Sequence, residues 1–399
     1  MLIGNRGDAQ LTLRRIVFVY GLLMFFDFLF GAVYVVAVLQ KDVSPAQLGF
    51  LFGLSTLFSI LIEAPSGNLA DRFGHKRFLM TGLAMWGLSL VFLSLSSSII
   101  YIAISLILWT TGMALQSGVF APILLSSSKT LDRQELFEKL ARQTSNARWV
   151  MSAVGALLIW VFVARIDANT LIMVAGVGII VLAGLSFFLF QETESTSSAS
   201  TKLGLKFIVR WLFSDEIRPL VLANVLLGAV TVAIVLPWQP ILTLGSDNVG
   251  RNGFMLFFMS LAALAGSYST KFLLSKFPYS PTFFIGITLI SIGLLCVVAM
   301  PVAKIVGFLI AECGFGISGV ALGALQQGKF SDEHRNGMFS ILSTVTLISS
   351  TTMNMVFGWL WGSLSIFSAV AISAVTIFIL GLLFFLMGKG VMKNSNEKI

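Results

Sequence analysis

Three acids stand where a carboxylate is hardest to keep. Asp27, Glu63 and Glu312 each lie inside a long apolar stretch. A charge at the centre of a bilayer costs about 2.5–3.5 kcal/mol on insertion scales. Groups retained at that cost usually face a water-filled space or each other, and they mark proton or ion pathways. On a helix, Asp27 shares a face with Gly31 and Tyr34. It reads as a proton and cation site, or as a structural hydrogen-bond partner. The same two readings apply to Glu312, which has Phe308, Phe315 and Gly316 around it. Glu63 lies about two turns before Asp71, so it reads either as a proton site or as a brace for the segment that follows.

That segment is the string Gly67-Asn68-Leu69-Ala70-Asp71-Arg72-Phe73-Gly74-His75-Lys76-Arg77. It is expected to form a tight turn between two helices. Gly67 lets backbones approach, and Gly74 supplies a turn conformation that other residues resist. Asp71 is placed to accept from helix-terminal N–H groups or to meet the positive end of a neighbouring helix. Arg72, Lys76 and Arg77 fall at headgroup level, where they can pair with phosphates or carboxylates. The bland alternative is a merely basic loop.

The elements that must position these groups follow from composition. The chain is 57% apolar and 11% charged, whereas soluble domains carry about a quarter charged residues. Lipid is therefore the expected solvent. A spanning helix needs about 20 apolar residues. Twelve such stretches occur near 14–39, 46–66, 76–96, 99–125, 145–165, 170–190, 218–244, 250–272, 280–301, 303–327, 337–361 and 365–388. The first is too long for a signal-peptide core and reads as a retained helix. With the N-terminus inside, all but Lys41, Arg165, Arg251 and Lys304 of the 26 Lys and Arg fall on the inner side. The positive-inside rule then puts both termini in the cytoplasm. The net charge of +8 sits in these short loops, which argues against nucleic acid as a partner.

The organisation expected is an all-α membrane protein of two pseudo-symmetric six-helix bundles, 1–190 and 218–399, joined by a cytoplasmic linker at 191–217. The linker opens with the polar run Glu192 to Ser200 and continues with Lys202, Lys206, Phe207, Arg210 and Trp211. It reads as an amphipathic piece on the inner leaflet or as a simple tether. Ser117-Gly118-Val119 before Lys129 is echoed by Ser318-Gly319-Val320 before Lys329, and Gly67 before Asp71-Arg72 by Gly266 before Thr270-Lys271. Paired halves of this kind place a substrate site near the midplane.

Candidate cavity residues are Tyr20, Tyr34, Trp109, Gln116, Asn224, Gln239, Asn354 and Trp361. Pro237-Trp238-Gln239-Pro240 must distort its helix near the outer surface. Arg148 is placed near the inner end of its span, where it can snorkel, so no base is expected at mid-depth and anionic substrates are disfavoured. An apolar cavity with one or two acids suits lipophilic cations. No Walker loop is present. His75 and His334 both lie in loops, and Cys296 and Cys313 read as small core residues. Neither catalysis, nor a cofactor, nor a metal is expected. Energy would come from a gradient, where 100 mV is worth about 2.3 kcal/mol per charge.

The order Gly67, Leu69, Ala70, Asp71, Arg72, Gly74, then His75, Lys76 and Arg77 resembles the loop signature of the major facilitator superfamily. The resemblance extends to chain length, twelve spans and the central linker. Glu63-Ala64-Pro65-Ser66-Gly67 is similar to a stretch found in bacterial drug and metabolite exporters. Two antiporter marks are missing. Leu108, not Arg, stands four residues before Gly112, and span five holds Ser152 and Gly155 but no Pro. The resemblance implies a monomer in a bacterial inner membrane that exports a small apolar or cationic compound against protons, by alternating access. The alternative is proton-coupled uptake of a neutral sugar or nucleoside. It also implies that Gly67, Asp71, Arg72, Gly74, Lys76 and Arg77 form a conformational latch.

Overall fold

The computed structural model describes residues 6–117, 119–127, 133–162, 166–191, 205–243, 250–299, 303–329 and 335–393. The polar run from Glu192 to Ser200, with Lys202, Gly118, Lys129, Arg165, His334 and Lys398, lies outside them. The described residues form sixteen helices and no strand. These group into twelve spans and one linker helix, the fold expected from the apolar pattern.

The first span is α1 (Arg6–Gly31) followed by α2 (Tyr34–Leu39). Next come α3 (Pro45–Phe73), α4 (His75–Leu95), then α5 (Ile99–Gln116) with α6 (Phe120–Ser126), α7 (Arg133–Phe162) and α8 (Ala168–Leu189). The linker contributes α9 (Leu205–Leu212). The second half is α10 (Arg218–Val235) with α11 (Trp238–Thr243), α12 (Gly250–Leu274), α13 (Tyr279–Ala299), α14 (Lys304–Lys329), α15 (Arg335–Ser363) and α16 (Ile366–Lys393). Ten spans are long and apolar enough to cross a membrane by length and composition alone. The exceptions are α1 and α7. The break after Gly31 leaves α1 a stretch that holds Arg14, Arg15 and Asp27, and α7 carries Ser145, Asn146, Arg148 and Ser152 among its apolar residues.

The chain divides into two compact units. One is Met1–Val43, Leu54–Ala199 and Gly245–Phe257; the other is Ser44–Gly53, Ser200–Leu244 and Phe258–Ile399. In the first unit α4 packs on α5 and α8, and α1 on α7. In the second α13 packs on α14 and α16, and α10 on α15. Apolar lipid gives helices little reason to associate by the hydrophobic effect, so close van der Waals approach between small residues takes its place. A Cβ on Gly87 of α4 would lie 2.6 Å from the carbonyl oxygen of Gly176, and one on Gly82 2.9 Å from that of Gly112. In the second unit Gly286 faces Gly314 at 2.7 Å and Gly293 faces Gly307 at 2.5 Å in the same sense. α4 and α13 are the third spans of their halves, so the glycine crossings repeat with the chain.

Polar side chains close the helix ends. Lys41 donates to the carbonyls of Leu93 at 2.8 Å and Ser96 at 2.6 Å, capping α4 where its dipole is negative. Asp167 caps α8, accepting from the Thr170 N–H at 2.9 Å and its hydroxyl at 2.6 Å. The Thr170 hydroxyl and N–H hold the Asp167 carboxyl below its ordinary value.

Gly87→Val is expected to lower stability by about 1–3 kcal/mol through overpacking, whereas Gly184→Ala, which meets nothing within 4 Å, leaves stability within about 0.5 kcal/mol of wild type, as read from thermal melting. Asp167→Ala should cost about 1 kcal/mol near neutral pH. Because the folded-state value is depressed, the cap's contribution is complete above the ordinary carboxylate range and fades as pH falls through the folded value. Melting curves for wild type and D167A should therefore converge on acidification.

Candidate functional site

In the first unit, α1 and α7 run side by side in parallel. Gly21 faces Ala147 and Met151, and Gly155 faces Phe25 and Phe28. This register sets Arg148 level with Tyr20 and about 10 Å along the helix axis from Asp27. Tyr20 and Asp27 are seven residues apart and share one face of α1. The guanidinium of Arg148 acts electrostatically on Asp27, and Asp27 acts on the Tyr34 phenol. Asp27 is half-buried and forms neither a hydrogen bond nor an ion pair with a described residue.

Beyond Asp27 the helix breaks. The Ala32 N–H donates to Phe28 O at 3.1 Å, the Val33 N–H donates to Phe30 O at 3.0 Å, and α2 starts at Tyr34. The carbonyl of Ala32 accepts instead from the side-chain amide of Asn252, at 3.0 Å. Asn252 is 1% exposed. Three rings gather at this break. Phe30 lies 5.0 Å from Tyr34 and 5.0 Å from Trp109, and Tyr34 lies 6.0 Å from Trp109. The neighbouring Thr110 hydroxyl donates to Ser55 O at 2.7 Å and so ties α5 to α3. Tyr20 meets Phe120 edge to face at 5.9 Å. Of the candidate residues, Tyr34 and Trp109 meet each other and Asp27 acts on Tyr34, whereas Tyr20 lies two turns earlier on α1, against Phe120. Gln116 stands apart at the end of α5, half-buried.

In the second unit Glu312 is half-buried on α14 and makes no hydrogen bond or ion pair with a described residue. Beside it, Gly266 of α12 touches the Cys313 backbone, and Gly316 touches that of Ala263. Asn224 is buried. Its amide oxygen accepts from Gln326 at 3.1 Å and from the Thr346 hydroxyl at 3.1 Å, and its NH₂ donates to Leu220 O at 2.7 Å. The residue thus joins α10, α14 and α15. Gln239 is fully buried on α11. Asn354 and Trp361 are half-buried on α15, with Trp361 against Phe357 at 6.5 Å.

The string at 67–77 is less of a loop than its composition suggests. α3 continues to Phe73, and α4 begins at His75. Gly67 is thus helical, and Gly74 alone makes the connection, at φ 99°. Asp71 meets His75 at 3.2 Å across it. Lys76 lies over the Phe187 ring at 4.3 Å and Arg72 over Phe73 at 5.4 Å. A cavity of about 150 Å³ borders the pair, lined also by Ser66, Leu115, Ser117 and Pro122. Glu63 sits two turns earlier in α3, half-buried, and its carbonyl accepts from the Ser66 hydroxyl at 2.8 Å.

Arg148, Asn252, Gln326 and Thr346 were not evident as site residues from sequence. The available signal was their polarity inside apolar stretches. Arg148 lies near the start of its apolar stretch, while α7 itself begins earlier, at Arg133.

The sequence model of the Major Facilitator Superfamily matches residues 16–330. No curated protein matches the sequence significantly. Among solved structures, the chain is similar to the nucleoside transporter NupG, with 12% identity over 94% of this chain and 99% of that one, at a TM-score of 0.75. It is similar to a bacterial homologue of the human lysosomal transporter Spinster, with 14% identity over 98% and 99%, at 0.77. It is also similar to a D-xylose-proton symporter, with 15% identity over 94% and 96%, at 0.71. At these identities the likeness is one of fold.

Asn252→Ala is expected to leave the Ala32 carbonyl without its donor and cost about 1–3 kcal/mol. Hydrogen exchange should rise first around residues 32–37, with less change in the amides of α13.

Proposed function

The chain belongs to the Major Facilitator Superfamily, and from that premise we propose a proton-coupled secondary transporter that exports a small apolar or cationic compound by alternating access. One observation carries this reading. Asp27 is a half-buried carboxylate in the first span, without a direct hydrogen-bond or ion-pair partner among the described residues, acted on by the Arg148 charge and itself acting on Tyr34 of the ring cluster. A proton bound there removes the negative charge. A cation bound there meets both the carboxylate and aromatic faces, and each cation–π contact is worth about 0.5–2 kcal/mol. The two compete for one charge, which is what exchange requires. Glu312 is the second proton site of the proposal. Asp71 and His75, tied across Gly74, serve as the latch with Arg72, Lys76 and Arg77. The setting is a bacterial inner membrane with both termini cytoplasmic, and the working form is a monomer.

A second reading is proton-coupled uptake of a neutral solute. Arg148 favours it, because a base near Asp27 lowers the appeal of the site to a cation. The fold likeness to a symporter named for D-xylose and protons is in keeping with it.

Proteoliposomes with an internal pH dye separate the readings. Under exchange, adding a lipophilic cation drives protons opposite to the substrate; under symport, adding a sugar or nucleoside carries protons with it. Asp27→Asn is expected to reduce substrate-evoked proton flux at least tenfold, and Glu312→Gln to reduce it measurably. Unchanged flux in both variants would remove the proposed coupling sites.

A further inference from the structure

A groove of about 260 Å³ runs along the seam between α1 and α7. Its walls are Val17, Phe18 and Leu22 on one side and Ala147 and Met151 on the other. Gly21 forms its floor, and the absence of a side chain there keeps the groove open. Arg14 and Gln143 close one end. Nothing in the transport reading uses this feature.

Helical spacing tells which way it opens. At about 100° per residue, Arg14, Phe18 and Gly21 lie on the side of α1 away from Tyr20 and Asp27. Leu11 and Phe18 on that side are 47% and 54% exposed. On α7, Ala147 and Met151 share a face with Val150, Val154 and Val161, all exposed, while Arg148 points to another face. The groove therefore opens on the outer, apolar surface of its unit, where the surrounding medium is lipid. Eight residues separate Arg14 from Leu22, a length of about 12 Å. That is less than half the roughly 30 Å hydrocarbon layer, so the groove lies within one leaflet. Arg14 is exposed, forms no ion pair with a described residue, and stands at the end nearer the N-terminus, where the headgroups begin. A guanidinium there offers two parallel donors to a phosphate, and the Gln143 amide adds a further polar group at the same level.

We propose that this groove holds one acyl chain of an anionic phospholipid from the leaflet facing the N-terminus, with the phosphate on Arg14 and the chain along Gly21. The lipid occupies the α1–α7 seam, so it stiffens the same pair of helices that carries Asp27 and Arg148.

The test uses the full chain in mild detergent, with native mass spectrometry counting retained dioleoyl phosphatidylglycerol or dioleoyl phosphatidylcholine. Wild type is expected to retain one phosphatidylglycerol in preference to phosphatidylcholine. Arg14→Gln should weaken phosphatidylglycerol about tenfold and erase the preference, as loss of a charged hydrogen bond implies. Ala147→Phe should fill the groove and reduce retention of both lipids. Gly21→Leu does so from the floor, should the first variant fail to fold. Inorganic phosphate alone should not displace the lipid. The proposal falls if Arg14→Gln keeps the preference, if the filled groove retains as much lipid as the open one, or if free phosphate competes as well as the lipid does.

Discussion

Every peptide group within the spans of this chain must find its hydrogen-bond partner inside the protein, because hydrocarbon offers none. That constraint makes the spans helical and makes each interruption a local problem to be solved. The first span is interrupted after Gly31, the fourth after Gln116 and the seventh after Val235. At the first, tight turns use two carbonyls and the amide of Asn252 satisfies a third. At the seventh, Pro237 brings no N–H to be satisfied, and its own carbonyl accepts from Ile241 at 3.0 Å. Interruptions survive in a membrane only where protein or cavity covers them. The aromatic cluster of Phe30, Tyr34 and Trp109 therefore sits beside the first break because the break needs cover and the rings provide it.

The second constraint concerns how helices hold together once formed. Leucine gains little by leaving lipid for protein, so packing depends on how near two backbones can come. The reciprocal glycine pairs on α4 and α13 achieve this in both units. They fix the scaffolds rigidly and leave α1 and α7, with their polar residues, as the less uniform pair in the first unit. The residues proposed for coupling thus ride on helices that are not themselves the most tightly apposed, since a Cβ on Gly155 would meet its nearest neighbour at 3.3 Å.

The spans were legible because about 20 apolar residues is a demand the sequence cannot hide. The distortion at Pro237 was legible for the same kind of reason, since proline removes a donor outright. The break after Gly31 was not, because glycine permits an interruption without requiring one. Ser117-Gly118-Val119 and Ser318-Gly319-Val320 look alike, yet α5 stops at Gln116 while α14 runs unbroken to Lys329. Local composition does not decide between those outcomes; tertiary partners do. The start of α7 was out of reach for a related reason. Apolarity marks where a helix enters hydrocarbon, not where the helix starts, and α7 starts twelve residues before the apolar stretch. Asn224 was recognisable as a polar residue at depth, but its partners Gln326 and Thr346 lie more than a hundred positions away in sequence, so their pairing was beyond any local pattern.

What the geometry adds is a balance of magnitudes at Asp27. The guanidinium of Arg148 attracts the Asp27 carboxylate without forming an ion pair with it. A carboxylate at the bilayer centre costs about 2.5–3.5 kcal/mol. Arg148 therefore relieves part of the cost and leaves the rest. Were the two groups in direct contact, each would satisfy the other and neither would respond to a proton or a ligand. The proposed exchange of a proton for a cation at Asp27 needs such an unsatisfied remainder, of the size a cation–π contact supplies, about 0.5–2 kcal/mol. The separation of the two groups is set by α1 and α7, which meet at Gly21 and Gly155.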